Sequence, residues 1–203
     1  MRIIGGAYRG RALAGLGKGD TAAHLRPTSD RVRESLFNVL AGGYEDPVSG
    51  ARVLDIFAGT GALGLEALSR GADAVTFVET GRTALSLLRK NIALCGAERH
   101  VRVVRSDARR PGPCPVAPHE LVFLDPPYGK GLGEKALGAA LANGWIAEAA
   151  LIIWEESAEI HPPDGVRVVE ERRYGDTLIR LLRRVATPSS TQADPLSGPP
   201  PRG

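Results

Sequence analysis

The chain has 203 residues, of which 43% are hydrophobic and 24% charged, a composition typical of a globular protein and not of a disordered one. This length is sufficient for one domain of ordinary size, or for one domain with a small additional segment. No stretch approaches the roughly 18 apolar residues of a membrane-spanning helix, and the N-terminal residues lack the apolar core of a signal peptide. Cys95 and Cys114 have neither metal-ligand spacing nor a disulfide pattern, so we expect a cytoplasmic protein without a bound metal.

The positive charge is concentrated near the N-terminus. The formal net charge is +3, but residues 1–40 alone contain seven Arg or Lys residues against three acidic ones, a local excess of four. A basic segment on a body of near-neutral charge indicates a polyanionic partner such as a nucleic acid. A solvated, arginine-rich surface is the alternative, and composition alone does not decide between the two.

The first 25 residues are predicted to form a small β segment. Residues 2–4 and 11–13 are short runs of mixed apolar and basic residues separated by glycines, and residues 14–25 are rich in glycine and other small residues, which predicts a loop. A helix is predicted to begin at residues 27–30, where a hydroxyl or carboxylate can cap it. Its apolar stripe is formed by Val32, Leu36, Val39 and Leu40, and Arg31 and Arg33 lie away from that stripe.

Strand-like and helix-like segments alternate from residue 51 onwards. The predicted strands are residues 52–57, 74–79, 101–105, 121–125 and 151–155, and the predicted helices are residues 62–70, 82–94 and 134–142. This alternation predicts βαβ units and a parallel sheet covered on both faces. Residues 166–173 and 177–183 predict a closing antiparallel hairpin. The tail at 186–203, which is rich in proline and poor in apolar residues, is predicted to be disordered.

A glycine-rich loop follows the first strand of this alternating part. Residues 59–64 match the pattern G-x-G-x-x-G between a strand and a helix, and Glu79 ends the next strand about twenty residues later. Such glycines let the backbone approach a ligand, and the helix N-terminus offers free N–H groups. A glutamate at the second strand end can accept hydrogen bonds from both ribose hydroxyls. These features fit NAD and S-adenosylmethionine equally.

Asp55 favours S-adenosylmethionine over NAD. It lies four residues before Gly59, where a pyrophosphate would repel a carboxylate by about 4 kcal/mol at roughly 4 Å and an effective dielectric constant near 20. S-adenosylmethionine has no phosphate, and its ammonium and sulfonium groups are cationic. Asp107, at the end of the third strand, is placed to accept a hydrogen bond from an adenine amino group. The structural alternatives are a helix cap for Asp55 and a turn residue for Asp107.

The more specific motif is Asp125-Pro126-Pro127-Tyr128, which ends an apolar strand. The prolines lack N–H groups and restrict the residues before them, so this turn presents mainly hydrogen-bond acceptors. Two acceptors that bind the hydrogens of an exocyclic aromatic amine can direct its lone pair at a methyl group, and Tyr128 can stack on the base. The turn suits guanine, adenine-N6 or an amide nitrogen. A proline-rich turn with a structural tyrosine is the alternative.

Several segments together resemble the RsmD-type bacterial 16S rRNA guanine-N2 methyltransferases. The resemblance is carried by residues 2–6, 9–11, 26–38, 54–64, 125–128 and 174–177, and it covers about residues 1–185. The segment Pro-Thr-x-x-Arg-Val-Arg-Glu at 27–34 is more specific than the glycine loop, which all such enzymes share. The proline-rich tail and the prolines at 111–118 are not part of the family's pattern.

The resemblance implies an α/β fold of the class I methyltransferase (Rossmann-like) type, with a sheet of seven mostly parallel strands whose last strand is antiparallel. The methyltransferase domain would span residues 26–185, and residues 1–25 would be a small β-hairpin appendage that contacts RNA. The implied reaction transfers a methyl group from S-adenosylmethionine to the N2 amine of guanine 966 of 16S rRNA. The substrate would be the 30S subunit or its assembly intermediate, and we expect a monomeric enzyme.

The resemblance also implies three sets of site residues. The methyl donor is expected to contact Asp55, Phe57, Ala58, Gly59, Thr60, Gly61, Gly64, Glu79, Asp107 and Ala108. The guanine is expected to contact Asp125, Pro126, Pro127 and Tyr128. RNA is expected to contact Arg2, Arg9, Arg11, Arg26, Arg31 and Arg33. Surface salt bridges of Arg31 or Arg33 with acidic neighbours, worth about 0–1 kcal/mol, are the alternative for the last set.

Two other classes of function share parts of these patterns. A nicotinamide-dependent oxidoreductase would use the same glycine loop, but Asp55 and the proline turn argue against it. A ribosome-assembly protein that has lost its activity would keep the RNA-binding features. Every expected site position is occupied in this sequence, so nothing in it indicates such a loss.

Overall fold

Helices and strands alternate from Asp30 onwards in the computed structural model, which describes residues 1–15, 29–175 and 177–185. The helices are α1 (Asp30–Gly43), α2 (Ala62–Ser69), α3 (Arg82–Cys95) and α4 (Leu132–Ala142), with a short 3-10 helix at Glu98–His100. The strands are β1 (Arg52–Ile56), β2 (Ala74–Glu79), β3 (Val101–Arg105), β4 (His119–Leu124), β5 (Ile146–Glu155), β6 (Val166–Tyr174) and β7 (Thr177–Arg184). Most of the predicted loop at 14–25, the predicted RNA contact Arg26 and the predicted disordered tail lie outside the described residues.

The strands form one sheet in the order β3-β2-β1-β4-β5-β7-β6. The pairs among β1 to β5 are parallel, whereas β7 is antiparallel to both β5 and β6. β6 therefore runs in the same direction as β5. The predicted mostly parallel sheet with an antiparallel last strand is confirmed. The chain passes from β1 to β2 on one side and returns to β4 on the other, and α/β proteins bind ligands beyond the carboxyl ends of the strands at such a reversal.

Helices cover the two faces of this sheet unequally. On one face α1, α2 and α3 pack together with the N-terminal residues, and Phe37 and Leu88 are buried in the same cluster as Phe123 of β4. On the other face α4 packs in a second cluster that includes Trp145 and Trp154. Burial on both faces explains the nearly continuous apolar runs of the central strands. None of the helices among the described residues is long and apolar enough to cross a membrane.

The predicted strand and helix bounds agree with the structure to within two residues, except at the start of β5. This strand begins at Ile146, five residues before the predicted start at residue 151. Ala149 has a φ of 58°, and the register between β4 and β5 shifts between His119 and Leu121. Such an irregularity interrupts the two-residue alternation from which a strand is predicted.

The burial of Arg33 in α1 differs from the prediction. The buried side chains of this helix are Arg33, Leu36, Phe37 and Leu40, so Arg33 lies within the buried stripe and not away from it. Its side chain is 0% exposed and lies 3.6 Å from the carboxylate of Glu66, which is also fully buried. It also donates a hydrogen bond to Asp30 at 2.9 Å. An arginine can be buried when carboxylates pair with it, and Glu66 comes from a different helix, so the local pattern could not reveal the burial.

The N-terminal segment, residues 1–15, folds back on itself and docks on α2. Arg2 and Ala12 form an antiparallel bridge, and Ile3 is completely buried in the core cluster of the first face. The two carboxylate oxygens of Glu66 accept hydrogen bonds from the backbone N–H groups of Ile4 and Gly5, at 2.8 and 2.9 Å. The segment is thus anchored to the helix that follows the glycine loop. The division of the chain at residue 25 stays a prediction.

Candidate active site

Three neighbouring strands, β2, β1 and β4, end side by side where the strand order reverses. Ile56 of β1 pairs with Val78 of β2 on one side and with Leu124 of β4 on the other. Because neighbouring strands lie about 4.8 Å apart, the loop that follows β1 lies beside both Glu79 and Asp125. β3 is the next strand beyond β2, and Asp107 follows its end. The structure therefore brings the glycine loop and the Asp125–Tyr128 turn to one edge of the sheet.

The glycine loop turns sharply away from β1. The N–H groups of Phe57 and Ala58 both donate to the carbonyl of Val78, at 3.1 and 3.2 Å. Phe57 has a φ of 62°, a left-handed conformation that is rare for a bulky residue and often marks a functional site. Gly61, with a φ of 80°, caps α2, and a Cβ there would lie 2.4 Å from Leu88. Glycine is therefore required at position 61, both because of its positive φ and because there is no space for a side chain.

Gly64 allows α2 to pack closely on the sheet. A Cβ at this position would lie 2.4 Å from Phe77 and 2.8 Å from Val75, both side chains of β2. This is the role of the third glycine in G-x-G-x-x-G loops generally. The separation of helix from strand, and so the shape of the loop between them, depends on this glycine.

Asp55 acts as the cap that Gly61 cannot provide. Its carboxylate is 2% exposed and accepts a hydrogen bond from the N–H of Gly64, at 3.0 Å, in the first turn of α2. Burial raises the pKa of Asp55 to about 8; the Gly64 hydrogen bond lowers the pKa and the charge of Glu79 raises it further. The helix-cap interpretation describes the contact that the structure shows, and a contact of Asp55 with the methyl donor stays a prediction.

Glu79 joins the glycine loop to the end of β2. One carboxylate oxygen accepts from the N–H of Gly59 at 2.9 Å, and the other accepts from the N–H groups of Thr80 and Gly81, both at 2.7 Å. The side chain is half-buried at the strand end where the sequence predicted a ribose contact. That contact with the ribose stays a prediction.

The contacts of Asp107 match the alternative interpretation, in which it is a turn residue. Its carboxylate accepts from the N–H of Arg109 at 2.9 Å and pairs with the guanidinium of Arg109 at 2.6 Å. These hydrogen bonds with Arg109 lower the pKa of Asp107 to about 2. The neighbouring Ala108 is buried and lines a small apolar cavity beside the strand ends. The cavity is lined by Leu54, Ile56, Val78, Ala108, Pro111, Ala140 and Trp145. The adenine contacts of Asp107 and Ala108 stay predictions.

The Asp125–Tyr128 turn is bound to a glutamate that the sequence analysis missed. Leu124 pairs with Trp154, so Glu155 at the end of β5 lies beside Asp125 at the end of β4. The hydroxyl of Tyr128 donates to Glu155 at 2.8 Å, and Glu155 is 7% exposed. Pro126 is buried, whereas Asp125, Pro127 and Tyr128 are partly exposed. The signal that could have found Glu155 is its place at the end of the next parallel strand.

The predicted RNA contacts differ in accessibility. Arg2, Arg9, Arg11 and Arg31 are exposed, with Arg2 lying 3.8 Å from Asp30 and Arg11 donating to the carbonyl of Leu94 at 2.6 Å. Arg33 is the exception, because a guanidinium that is 0% exposed and paired with Glu66 does not reach a phosphate. Its assignment as an RNA contact is therefore wrong. No cluster of metal-binding side chains is found among the described residues.

Comparison with known proteins gives consistent matches over most of the chain. The family described as Conserved hypothetical protein 95 matches residues 1–183. Ribosomal RNA small subunit methyltransferase D of Escherichia coli K12 is 42% identical over 189 residues, which cover 92% of this chain and 91% of that protein. The protein of the same name from Haemophilus influenzae is 37% identical over 188 residues, covering 90% and 93%. The solved structure of Escherichia coli yhhF, described as a candidate methyltransferase, has a TM-score of 0.76 and 41% identity over 92% of this chain and 99% of that one.

Three features together define a class I methyltransferase. They are the sheet order with one reversed strand, the glycine loop after β1 and the Asp-Pro-Pro-Tyr turn after β4. The matches confirm this class and exclude the nicotinamide-dependent alternative. Within the class, the chain belongs to the ribosomal RNA small subunit methyltransferase D family.

Proposed function

We propose that this protein transfers a methyl group from S-adenosylmethionine to the N2 amine of a guanine in 16S rRNA, the guanine at position 966. The observation that carries the proposal is the meeting of the glycine loop and the Asp125–Tyr128 turn at the reversal point of the sheet, in a chain 42% identical to a relative named for methylation of small-subunit rRNA. The substrate in this proposal is the 30S subunit or an assembly intermediate in the cytoplasm, and the enzyme acts as a monomer.

The hydrogen bonds of the glycine loop support S-adenosylmethionine as the donor. In NAD-binding proteins the N–H groups at the start of the helix bind the pyrophosphate. Here the N–H groups of Gly59 and Gly64 already donate to the carboxylates of Glu79 and Asp55. These two N–H groups are therefore already occupied by side chains of the protein and are not free to bind a pyrophosphate. This arrangement fits a donor that has a ribose and no phosphate better than it fits a dinucleotide.

In the proposed mechanism, the protein orients the base and stabilises the charge that develops on it. When bound, S-adenosylmethionine supplies an electrophilic methyl group. The carboxylate of Asp125 and a carbonyl of the proline turn accept hydrogen bonds from the guanine amine, so that its lone pair leaves the ring plane. Tyr128 stacks on the base. As the N–C bond forms, the S–C bond to the methyl group would break and S-adenosylhomocysteine would leave. The amine proton becomes acidic in this step and would pass to water, so no strong base is needed, and Asp125 stabilises the positive charge on the nitrogen until the proton leaves.

Nucleoside analysis after methyl transfer tests this function. Small subunits that lack the modification are incubated with the protein and S-adenosylmethionine labelled in the methyl group, in parallel with free 16S rRNA. We expect the label in N2-methylguanosine at one position, and more of it in the subunits than in the free RNA. Label in N6-methyladenosine, or incorporation into neither RNA, would contradict the proposal.

The hydrogen bond between Tyr128 and Glu155 is expected to hold the tyrosine ring in place for stacking. Glu155→Ala and Tyr128→Phe should each reduce kcat/KM by about tenfold, in the range of a hydrogen bond to a charged group. The double variant should be no slower than either single variant, because both remove the same bond. Glu155→Gln keeps an oxygen that accepts from the hydroxyl, so it should recover most of the activity.

Steady-state kinetics with small subunits would measure all four variants. If the effects of Glu155→Ala and Tyr128→Phe multiplied in the double variant, or if Glu155→Gln were as slow as Glu155→Ala, Glu155 would act by another route. Glu148→Ala, an exposed position on the same strand, is the matched control and should behave as the wild type.

Arg31 is expected to contact an RNA phosphate, because it is exposed at the start of α1 beside the N-terminal segment. Arg31→Glu should weaken RNA binding several-fold and reduce the log–log salt dependence of the binding constant by about 0.7 to 0.9. Affinity for S-adenosylmethionine should not change. Filter binding at several salt concentrations measures the first effect and calorimetry the second; an unchanged salt dependence would exclude Arg31 as a phosphate contact.

A further inference from the structure

Asn91 of α3 is a fully buried polar residue that joins two functional parts of the chain. Its side-chain oxygen accepts a hydrogen bond from the N–H of Ala14 at 2.7 Å, and its nitrogen donates to the carbonyl of Ala14 at 3.0 Å. The same nitrogen donates to the carbonyl of Thr60 at 2.9 Å. With 0% exposure, Asn91 makes these hydrogen bonds away from water. It was in none of the predicted site sets.

Thr60 lies in the middle of the glycine loop, so its carbonyl is placed where the loop must hold its shape. A buried backbone carbonyl needs a hydrogen-bond donor, and for Thr60 the donor comes from α3 and not from the loop itself. The side chain of Thr60 also contacts the N-terminal segment, since its hydroxyl lies 3.8 Å from the sulfur of Met1. Both ends of that segment therefore reach Thr60, Met1 directly and Ala14 through Asn91.

The N-terminal segment also carries three of the arginines expected to contact RNA. Arg2, Arg9 and Arg11 are exposed on it, and its backbone is bound to α2 through Glu66 and Ser69. A phosphate bound by these arginines would strengthen the docking of the segment, whose Ala14 is already bonded to Asn91. Firmer docking of Ala14 would hold the amide of Asn91 in place, and with it the carbonyl of Thr60.

We propose that Asn91 is a positioning residue that couples the N-terminal segment to the glycine loop, so that RNA binding and methyl-donor binding strengthen each other. This proposal rests on the proposed function. Its physical basis is that a loop already ordered through Asn91 loses less conformational entropy when the donor binds. Coupling between two sites is reciprocal, so the donor must strengthen RNA binding by the same factor.

Calorimetric titration of the full chain with S-adenosylhomocysteine, which prevents turnover, tests the coupling. The dissociation constant is measured alone and with saturating small subunits. For the wild type we expect RNA to tighten binding by about tenfold, within the usual range of allosteric coupling. For Asn91→Ala we expect the factor to fall below about twofold. Lys90→Ala, an exposed neighbour on α3, is the matched control and should keep the wild-type factor.

Several outcomes would overturn the proposal. In one of them, Asn91→Ala raises the dissociation constant of S-adenosylhomocysteine equally with and without small subunits. The ratio of the two constants would then be unchanged, and Asn91 would have only a structural role. A wild-type factor of one would exclude the coupling while leaving the proposed function intact, whereas a wild type that bound no S-adenosylhomocysteine would contradict both.

Hydrogen exchange in the wild type provides a test that needs no folded variant. Addition of small subunits without the methyl donor should slow exchange of the loop amides of Gly59 and Gly61, which are bonded to Glu79 and Ala58. Unchanged exchange at these amides, with protection confined to the N-terminal segment, would show that RNA binding is not transmitted to the loop. In that case the proposal would be rejected.

Discussion

Replacing Asp125 by alanine is expected to abolish methyl transfer while leaving affinity for the methyl donor nearly unchanged. Asp125 follows β4 at the strand end beside the glycine loop, and in the proposed mechanism its carboxylate binds the amine and stabilises the positive charge on it. Loss of such an electrostatic contact typically reduces kcat by about 10²–10³-fold. In the proposed function the donor binds on the side of the glycine loop and Glu79, so its dissociation constant should change by less than about twofold, as expected for a group that acts in the transition state.

The measurement combines single-turnover kinetics on small subunits with calorimetric titration of S-adenosylmethionine. Asp125→Asn is the matched variant, since it keeps the shape and one acceptor oxygen but removes the charge. It should be intermediate, and the difference between the two variants separates orientation from charge stabilisation. Equal loss of transfer and of donor affinity in Asp125→Ala, together with a lower unfolding midpoint, would show that Asp125 supports the fold instead.

Replacing Glu66 by alanine is expected to destabilise the protein more than any surface substitution. The carboxylate of Glu66 is fully buried and accepts the N–H groups of Ile4 and Gly5, and it lies near the guanidinium of Arg33. Its removal leaves Arg33 as a buried charge without this carboxylate, and breaking a buried ion pair on one side costs about 3–5 kcal/mol. The two backbone donors of the N-terminal segment also lose their acceptor.

Urea unfolding would measure the change in the free energy of unfolding. Glu34→Ala, at an exposed position of α1, is the control and should change this free energy by less than about 0.5 kcal/mol. Glu66→Gln retains one acceptor oxygen and should lie between the two. A loss below about 1 kcal/mol for Glu66→Ala, against the expected 3–5 kcal/mol, would show that the buried pair contributes little and that the N-terminal segment is held by its apolar contacts.

The sheet was predictable because each central strand carries a strong local signal. β2 is an apolar run bounded by turns and has the predicted bounds. The edge strand β3, which mixes valines with arginines, also has the predicted bounds. β5 is different, because Ala149 has a left-handed conformation and the first residues of the strand do not alternate in burial. A local pattern detects regular pairing, and it does not detect a strand that begins with an irregularity.

The candidate site was predictable only where the chemistry lies in one segment. The glycine loop and the Asp125–Tyr128 turn are continuous motifs, and the parallel strands bring both to the carboxyl ends of neighbouring strands. The partners of Arg33, Tyr128 and Thr60 are Glu66, Glu155 and Asn91, and each partner lies on another element. Nothing in the local sequence distinguishes these partners from ordinary polar residues, so only the fold reveals them.

The place of β7 in the sheet has a consequence for how the molecule is made. Thr177–Arg184 lies between β5 and β6, and β6 pairs with β7 and not with β5. During synthesis β6 therefore emerges from the ribosome before the neighbour on which it depends. Without residues 177–184, the five strands β1 to β5 would leave β5 at an open edge of the sheet, and such an edge can pair with other chains. Of the strands that the structure describes, the last in the chain is the one that covers this edge.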